Sequence, residues 1–288
     1  MYTPTSGTTR SGPLRQRRAT TAPWRRAHGV AVALALALAA AACQPAVSAY
    51  TPRDPALRRL PLYFYPAADS THTPRAFVFF FGNDVGFWEA HQELATRLAG
   101  NDYSVVGFDV KQFFGTLPDA PAARDSAFAA SITPIIQRSR HELGADSLPV
   151  IIGGHSIGAE IALWTAAHAA PPGTVGVLAL SPGMRSHLRV SMSDILNRGE
   201  PHEAGSFDVP AQIAASAPLL RVAIIRGGSD KYGYADSALI AAAPDRVRRF
   251  GVPFAGHSMK RLTLAGPVIL RAMGYLLAPA ATGAQSGR

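Results

Sequence analysis

The sequence predicts one doubly wound α/β domain: a mostly parallel sheet covered by helices, with a short lid insertion. Three observations carry this. Short, almost uniformly apolar runs recur at Ala76 to Phe81, Ser104 to Phe108, Pro149 to Gly153, Thr174 to Leu180, Leu220 to Arg226 and Arg246 to Val252. Strands of that composition are buried on both faces, as parallel strands between helices are. Segments with helical spacing separate them, which gives the alternation of a wound α/β domain. Most of the runs also stop abruptly, at Gly82, at Asp109, at Ser181-Pro182-Gly183 and at Gly227-Gly228.

The chain has 288 residues, 48% of them apolar, enough for a targeting segment and one large α/β domain or two small ones. Its net charge is +9, but Arg10, Arg15, Arg17, Arg18, Arg25 and Arg26 supply six of those charges, with no acidic residue before Cys43. The remainder carries +3, a surplus that calls for no nucleic-acid partner. Gly29 to Ala42 is an alanine, leucine and valine stretch too short for a comfortable membrane span. Behind a basic segment it reads as the apolar core of an export signal, so residues 1–43 are expected to direct the protein out of the cytoplasm. Two exits fit. Ala40-Ala41-Ala42-Cys43 resembles a lipobox with alanine in place of leucine, which would acylate Cys43 and associate the protein with a membrane. Ordinary cleavage after Val47-Ser48-Ala49 is the other. Cys43 is the only cysteine, so the exported domain has no disulfide of its own.

The rest follows in order. Residues 44–74 read as a tether with one short strand, Leu62 to Tyr65, and residues 75–278 as the catalytic-type domain. Helices are expected at Trp88 to Leu98, at Phe128 to Leu143 with Pro134 near the start or at a kink, at Ala159 to Ala170, and at Leu262 to Leu277. The stretch from Met184 to Pro218 exceeds a plain crossover. It is read as the lid, with an edge strand at Leu188 to Met192 and a polar loop at Asn197 to Gly205. Residues 279–288 read as a disordered tail. No internal repeat is present.

The chemistry is concentrated at Val150 to Gly158. The apolar run ends in Gly154-His155-Ser156-Ile157-Gly158, and a helical segment follows. Strand, sharp turn and helix are the context in which G-x-S-x-G is a nucleophile elbow. Serine needs a base, and the base an orienting acid. Asp230 lies just past the strand Leu220 to Arg226, with Asp236 as the fallback acid. His257 lies on a glycine-containing loop after the last strand. The order Ser156, Asp230, His257 is the one an elbow of this kind uses. The Ile157 N–H is expected to face a developing oxyanion, with a second donor from the loop after Phe81, Asn83 first and Asp84 second. His155 is expected to pack beside the serine or shape the substrate-binding pocket, and His187 in the lid to contact substrate. No metal-ligand spacing is present, and no cofactor is expected.

On these residues the domain resembles the α/β-hydrolase superfamily. More narrowly, Ala76 to Leu277 resembles the bacterial AcvB/VirJ virulence-factor family. The marks are Gly82 to Trp88, Val105-Val106-Gly107-Phe108-Asp109 with Phe113-Phe114, and Gly154-His155-Ser156-Ile157-Gly158-Ala159-Glu160. That family carries an aromatic where Ile157 stands and usually aspartate where Glu160 stands. The Asn83-Asp84-Val85 loop, the Gly-Gly-Ser-Asp acid region and His257-Ser258 also depart from its pattern. The resemblance implies a periplasmic hydrolase of aminoacylated phosphatidylglycerol.

Together these readings predict an exported serine hydrolase acting on a small-molecule or phospholipid ester. A soluble esterase or peptidase is one alternative. A non-catalytic envelope protein that binds partners on a hydrolase scaffold is the other.

Overall fold

The computed structural model describes residues 50–279 except 70, 197, 259 and 261–265. Cys43 and the expected export signal lie outside the described residues, as do 280–288 of the expected tail.

The strands are β1 (Leu62–Tyr65), β2 (Ala76–Phe81), β3 (Tyr103–Phe108), β4 (Val150–His155), β5 (Thr174–Leu180), β6 (Arg185–His187), β7 (Ser206–Asp208), β8 (Arg221–Gly227) and β9 (Val247–Val252). Seven of them form one sheet in the order β1-β3-β2-β4-β5-β8-β9. β1 runs antiparallel to β3, and every other pairing is parallel. The helices are α1 (Glu89–Ala99), α2 (Val110–Phe114), α3 (Pro121–Glu142), α4 (Ile157–His168), α5 (Met192–Ile195), α6 (Val209–Ala215), α7 (Asp236–Ala241) and α8 (Gly266–Leu277).

The side-chain alternation of a strand divides the interior into two cores. Phe77, Phe79 and Phe81 join Ile152, Val177 and Ile224 on one face, against α3, α4 and α6. Val78 and Phe80 join Ile151, Leu178 and Ile225 on the other, against α1 and α8. Both faces of the central strands are therefore covered, which is why the sequence there is continuously apolar.

Three expectations need correction. The helix expected from Phe128 opens earlier, at Pro121, so Pro134 lies in the interior of α3 rather than near its start. One backbone bond is lost there, while Phe128 and Ile132 before it and Ile135 and Ile136 after it are anchored in the core. From Tyr50 onward the segment read as a tether is packed against the domain. Leu57 is buried, and Glu142 accepts hydrogen bonds from the Tyr50 hydroxyl (2.7 Å) and from the Arg53 and Asp54 N–H groups (2.6 and 3.1 Å). A proline-rich composition hid these anchors because they lie almost ninety residues away in sequence. Finally, Leu188 to Met192 is no strand. The lid hairpin is built instead from β6 and β7, with Ser186 opposite Phe207. Of its alternating apolar residues, Leu188 is buried in the core and Val190 packs against it, while Met192 is exposed.

Candidate active site

Ser156 sits between β4 and α4, at the carboxyl edge of the sheet. Its backbone has φ 55° and ψ −126°, outside the regions an L-residue prefers. The neighbouring glycines make that turn feasible. A Cβ on Gly154 would lie 2.1 Å from the Gly158 carbonyl oxygen, and one on Gly158 would lie 2.0 Å from that of Gly82. The turn is held by the Ser156 N–H, which donates to the Leu180 carbonyl at 2.8 Å.

The three polar residues separated in sequence converge. His257 Nε2 lies 2.9 Å from Ser156 Oγ, and His257 Nδ1 lies 3.2 Å from Asp230 Oδ1. Asp230 Oδ1 also accepts from the Tyr232 N–H at 3.1 Å, and Oδ2 faces Arg226 Nη1 at 3.1 Å. Burial by itself would raise the Asp230 carboxyl. The bonds from His257 and the Tyr232 N–H outweigh it and hold the group well below the usual carboxylate range. Asp236 plays another part. Its carboxylate accepts from Arg226 Nε at 2.8 Å and Arg249 Nε at 2.6 Å, so it braces the guanidinium behind Asp230.

The Ile157 N–H heads α4, where the first-turn donors have no partner within the helix. In the loop after β2 the first choice fails. The Asn83 N–H is engaged by the Gly86 carbonyl at 3.2 Å, and the Gly86 N–H returns to Asn83 at 2.9 Å. That tight turn, with Gly86 at φ 104°, puts Asp84 at its tip and on the cavity wall. Burial raises the Asp84 carboxyl from its ordinary value.

A cavity of about 210 Å³ opens over Ser156 and His257. Its wall carries the carboxylates of Asp84, Glu160, Asp194 and Glu200 against the single arginine Arg185. In the sequence Glu160 is marked only by its departure from the family pattern. It stands one helical turn beyond the serine, on the face that points back over the site. Burial pushes its carboxyl up to about 7, against the Gly183 N–H that donates to it at 2.7 Å.

Two histidines expected at the substrate are elsewhere. His155 is buried behind the site, and its Nε2 pairs with the backbone oxygen of His257 at 3.0 Å. Its ring packs against those of His257 and His91, and burial, with the neighbouring His257, takes its pKa down to about 3. His187 takes no part in the cavity wall. Its two ring nitrogens lie 2.7 Å from Glu203 Oε1 and 2.9 Å from Asp194 Oδ2, which fastens the lid to itself. Side chains on a strand point alternately to opposite faces, and His155 lies one position from the serine, so its inward direction follows from the pleat. Among the described residues no three His, Cys, Asp or Glu side chains converge as a metal site requires.

The sheet order and the strand-elbow-helix at β4 define the α/β-hydrolase fold. Solved structures agree. The chain is similar to a candidate dienelactone hydrolase from Klebsiella pneumoniae subsp. pneumoniae MGH 78578, with a TM-score of 0.57 and 15% identity over 75% of this chain and 92% of that one. It is also similar to Est1E from Butyrivibrio proteoclasticus, with a TM-score of 0.52 and 11% identity over 75% and 93% of the two chains. No family model matches the sequence, and no curated protein matches it either.

Proposed function

We propose that this chain is an exported serine hydrolase that cleaves a carboxylic ester through an acyl-serine intermediate. The observation that carries the reading is the His257 ring, within hydrogen-bond reach of Ser156 on one side and Asp230 on the other. His257 accepts the hydroxyl proton as Ser156 Oγ attacks the carbonyl carbon. Asp230 holds the ring orientation and stabilises the imidazolium. The Ile157 N–H receives the oxyanion, with the Asp84 N–H as second donor. Collapse of the tetrahedral adduct expels the alcohol, which takes the proton from His257. Water, activated by the same imidazole, then releases the acid. The name of one structural neighbour, a candidate dienelactone hydrolase, supports ester chemistry.

An aminoacyl ester of phosphatidylglycerol is the substrate we favour. The motif resemblance to the AcvB/VirJ family points to it, and the acid-rich cavity wall, with Asp194 and Glu200 beside Asp84 and Glu160, suits an ammonium on the acyl group. The basic leader and apolar stretch support export, with Cys43 acylated or the chain cut after Ala49. A fluorophosphonate probe tests the chemistry. Labelling that disappears in Ser156→Ala supports an enzyme, whereas folded protein that takes no label supports a binding scaffold. Hydrolysis of lysyl-phosphatidylglycerol tests the substrate. Turnover of soluble esters without it would leave a general esterase.

A further inference from the structure

Six large apolar side chains are exposed among the described residues: Val85, Met192, Leu196, Leu219, Tyr234 and Phe254. Five of them share one location. Val85 follows Asp84. Met192 and Leu196 bracket Asp194 and Ile195. Tyr234 lies two residues past Tyr232, and Phe254 three before His257. Each of those neighbours is part of the cavity wall. The five stand in four separate segments, each within three residues of the cavity wall, and so form a rim beside it. Phe254 is the extreme case, 88% exposed at a backbone φ of 58°. Holding a phenylalanine outward in the left-handed region is unfavourable in water on both counts.

We propose that this rim is a docking surface for an anionic lipid bilayer, which brings membrane esters to the cavity. The side chains are of the kind that enter the boundary between headgroups and acyl chains. Exposed cations accompany them on the same end of the domain, namely Lys111, Arg198, Lys231 and Lys260. Asp84, Glu160, Asp194 and Glu200 line the cavity, while Glu203 pairs with Arg189 and Glu89 with Lys260 at 3.7 Å. Cations outside and acids inside suit a surface of anionic headgroups around a cationic guest. A protein partner seated on the rim would close the mouth, whereas a bilayer supplies substrate through it. Leu219, the sixth residue, precedes β8 and so lies at the opposite end of the sheet.

The proposal extends the ester-hydrolase reading to how substrate is presented. Its first test avoids turnover. In full chains carrying Cys43→Ser and Ser156→Ala, an environment-sensitive fluorophore is attached through Phe254→Cys or, as control, Leu219→Cys. Vesicles of mixed phosphatidylcholine and phosphatidylglycerol should shift emission to the blue at 254 and leave 219 unchanged. No shift at 254, an equal shift at both, or a shift at 254 on raising protein concentration without vesicles overturns the proposal. The last result would mark a self-association face. In catalytically intact protein, Phe254→Ser with Leu196→Ser should slow hydrolysis of a vesicle-borne ester roughly tenfold and leave a soluble ester unaffected. Equal loss on both substrates also overturns it. Absence of any ester turnover in the unsubstituted chain would sink the hydrolase reading, and the fluorescence result would still decide the docking surface.

Discussion

The guanidinium of Arg226 stands directly behind the carboxylate of Asp230. Nη1 lies 3.1 Å from Oδ2, while Oδ1 of the same carboxylate faces His257. Arg226 has no solvent exposure. Its remaining nitrogens reach Asp236 at 2.8 Å and the Pro182 carbonyl at 2.6 Å, so one cation ties the acid to two other segments. Arg226→Met leaves the buried Asp230 carboxylate without its guanidinium and Asp236 with Arg249 alone. It should cost about 3–5 kcal/mol of stability, read from the denaturant midpoint. Arg226→Lys keeps the charge but loses the fork. It should recover part of the stability while kcat stays low.

His155 carries the backbone of the loop that bears His257. His155→Phe preserves the ring packing and removes the 3.0 Å bond to the His257 carbonyl. The expected outcome is a drop of about tenfold in kcat, because a misplaced base costs proton transfer more than it costs binding. KM should change little. A variant with unaltered kcat would show that the loop holds His257 without this bond.

Glu160 makes stability depend on pH. Its carboxyl is raised from 4.5 to about 7 by burial, so the folded state prefers the neutral form. The full stability is present below about 4.5 and is lost as the pH rises through about 7. Glu160→Gln should flatten that decline and raise the melting temperature at pH 8. The gain is at most about 3 kcal/mol, the equivalent of the shift. A melting curve with the same pH slope in both proteins would refute this.

Ser156 holds a backbone conformation that glycine adopts without strain. Ser156→Gly should therefore stabilise the fold by about 1 kcal/mol or more while abolishing activity. Ser156→Ala should abolish activity without that gain, since alanine keeps the Cβ. Thermal melts of the three proteins give the comparison.

Much of the fold was legible because the central strands β2, β3, β4, β5 and β8 are buried on both faces, which makes their sequence continuously apolar. Strand positions read from composition agree with the sheet to within about two residues. The elbow was legible because glycines at Gly154 and Gly158 are demanded by backbone contacts of their own turn and of the next strand. The sequence separates Asp230 from Asp236 only by position, the first just past β8 and the second in the helical pattern that follows. The side chains decide it: Asp230 turns to His257, and Asp236 to Arg226 and Arg249. Lid histidines were illegible for a related reason. His187 finds its carboxylates seven and sixteen residues away, across a hairpin that the sequence misplaced.

By itself, the amino-acid sequence determined a wound parallel sheet, a serine on a strained turn, and an acid and a histidine after the strands that carry them. These are properties of local backbone geometry and of apolar periodicity, which act over a few residues. Only the tertiary structure decided which acid meets the imidazole, and that Glu160 and three other carboxylates share one cavity. Those outcomes depend on side chains from distant loops meeting at one edge of the sheet, and their meeting is set by packing that no short stretch of chain encodes.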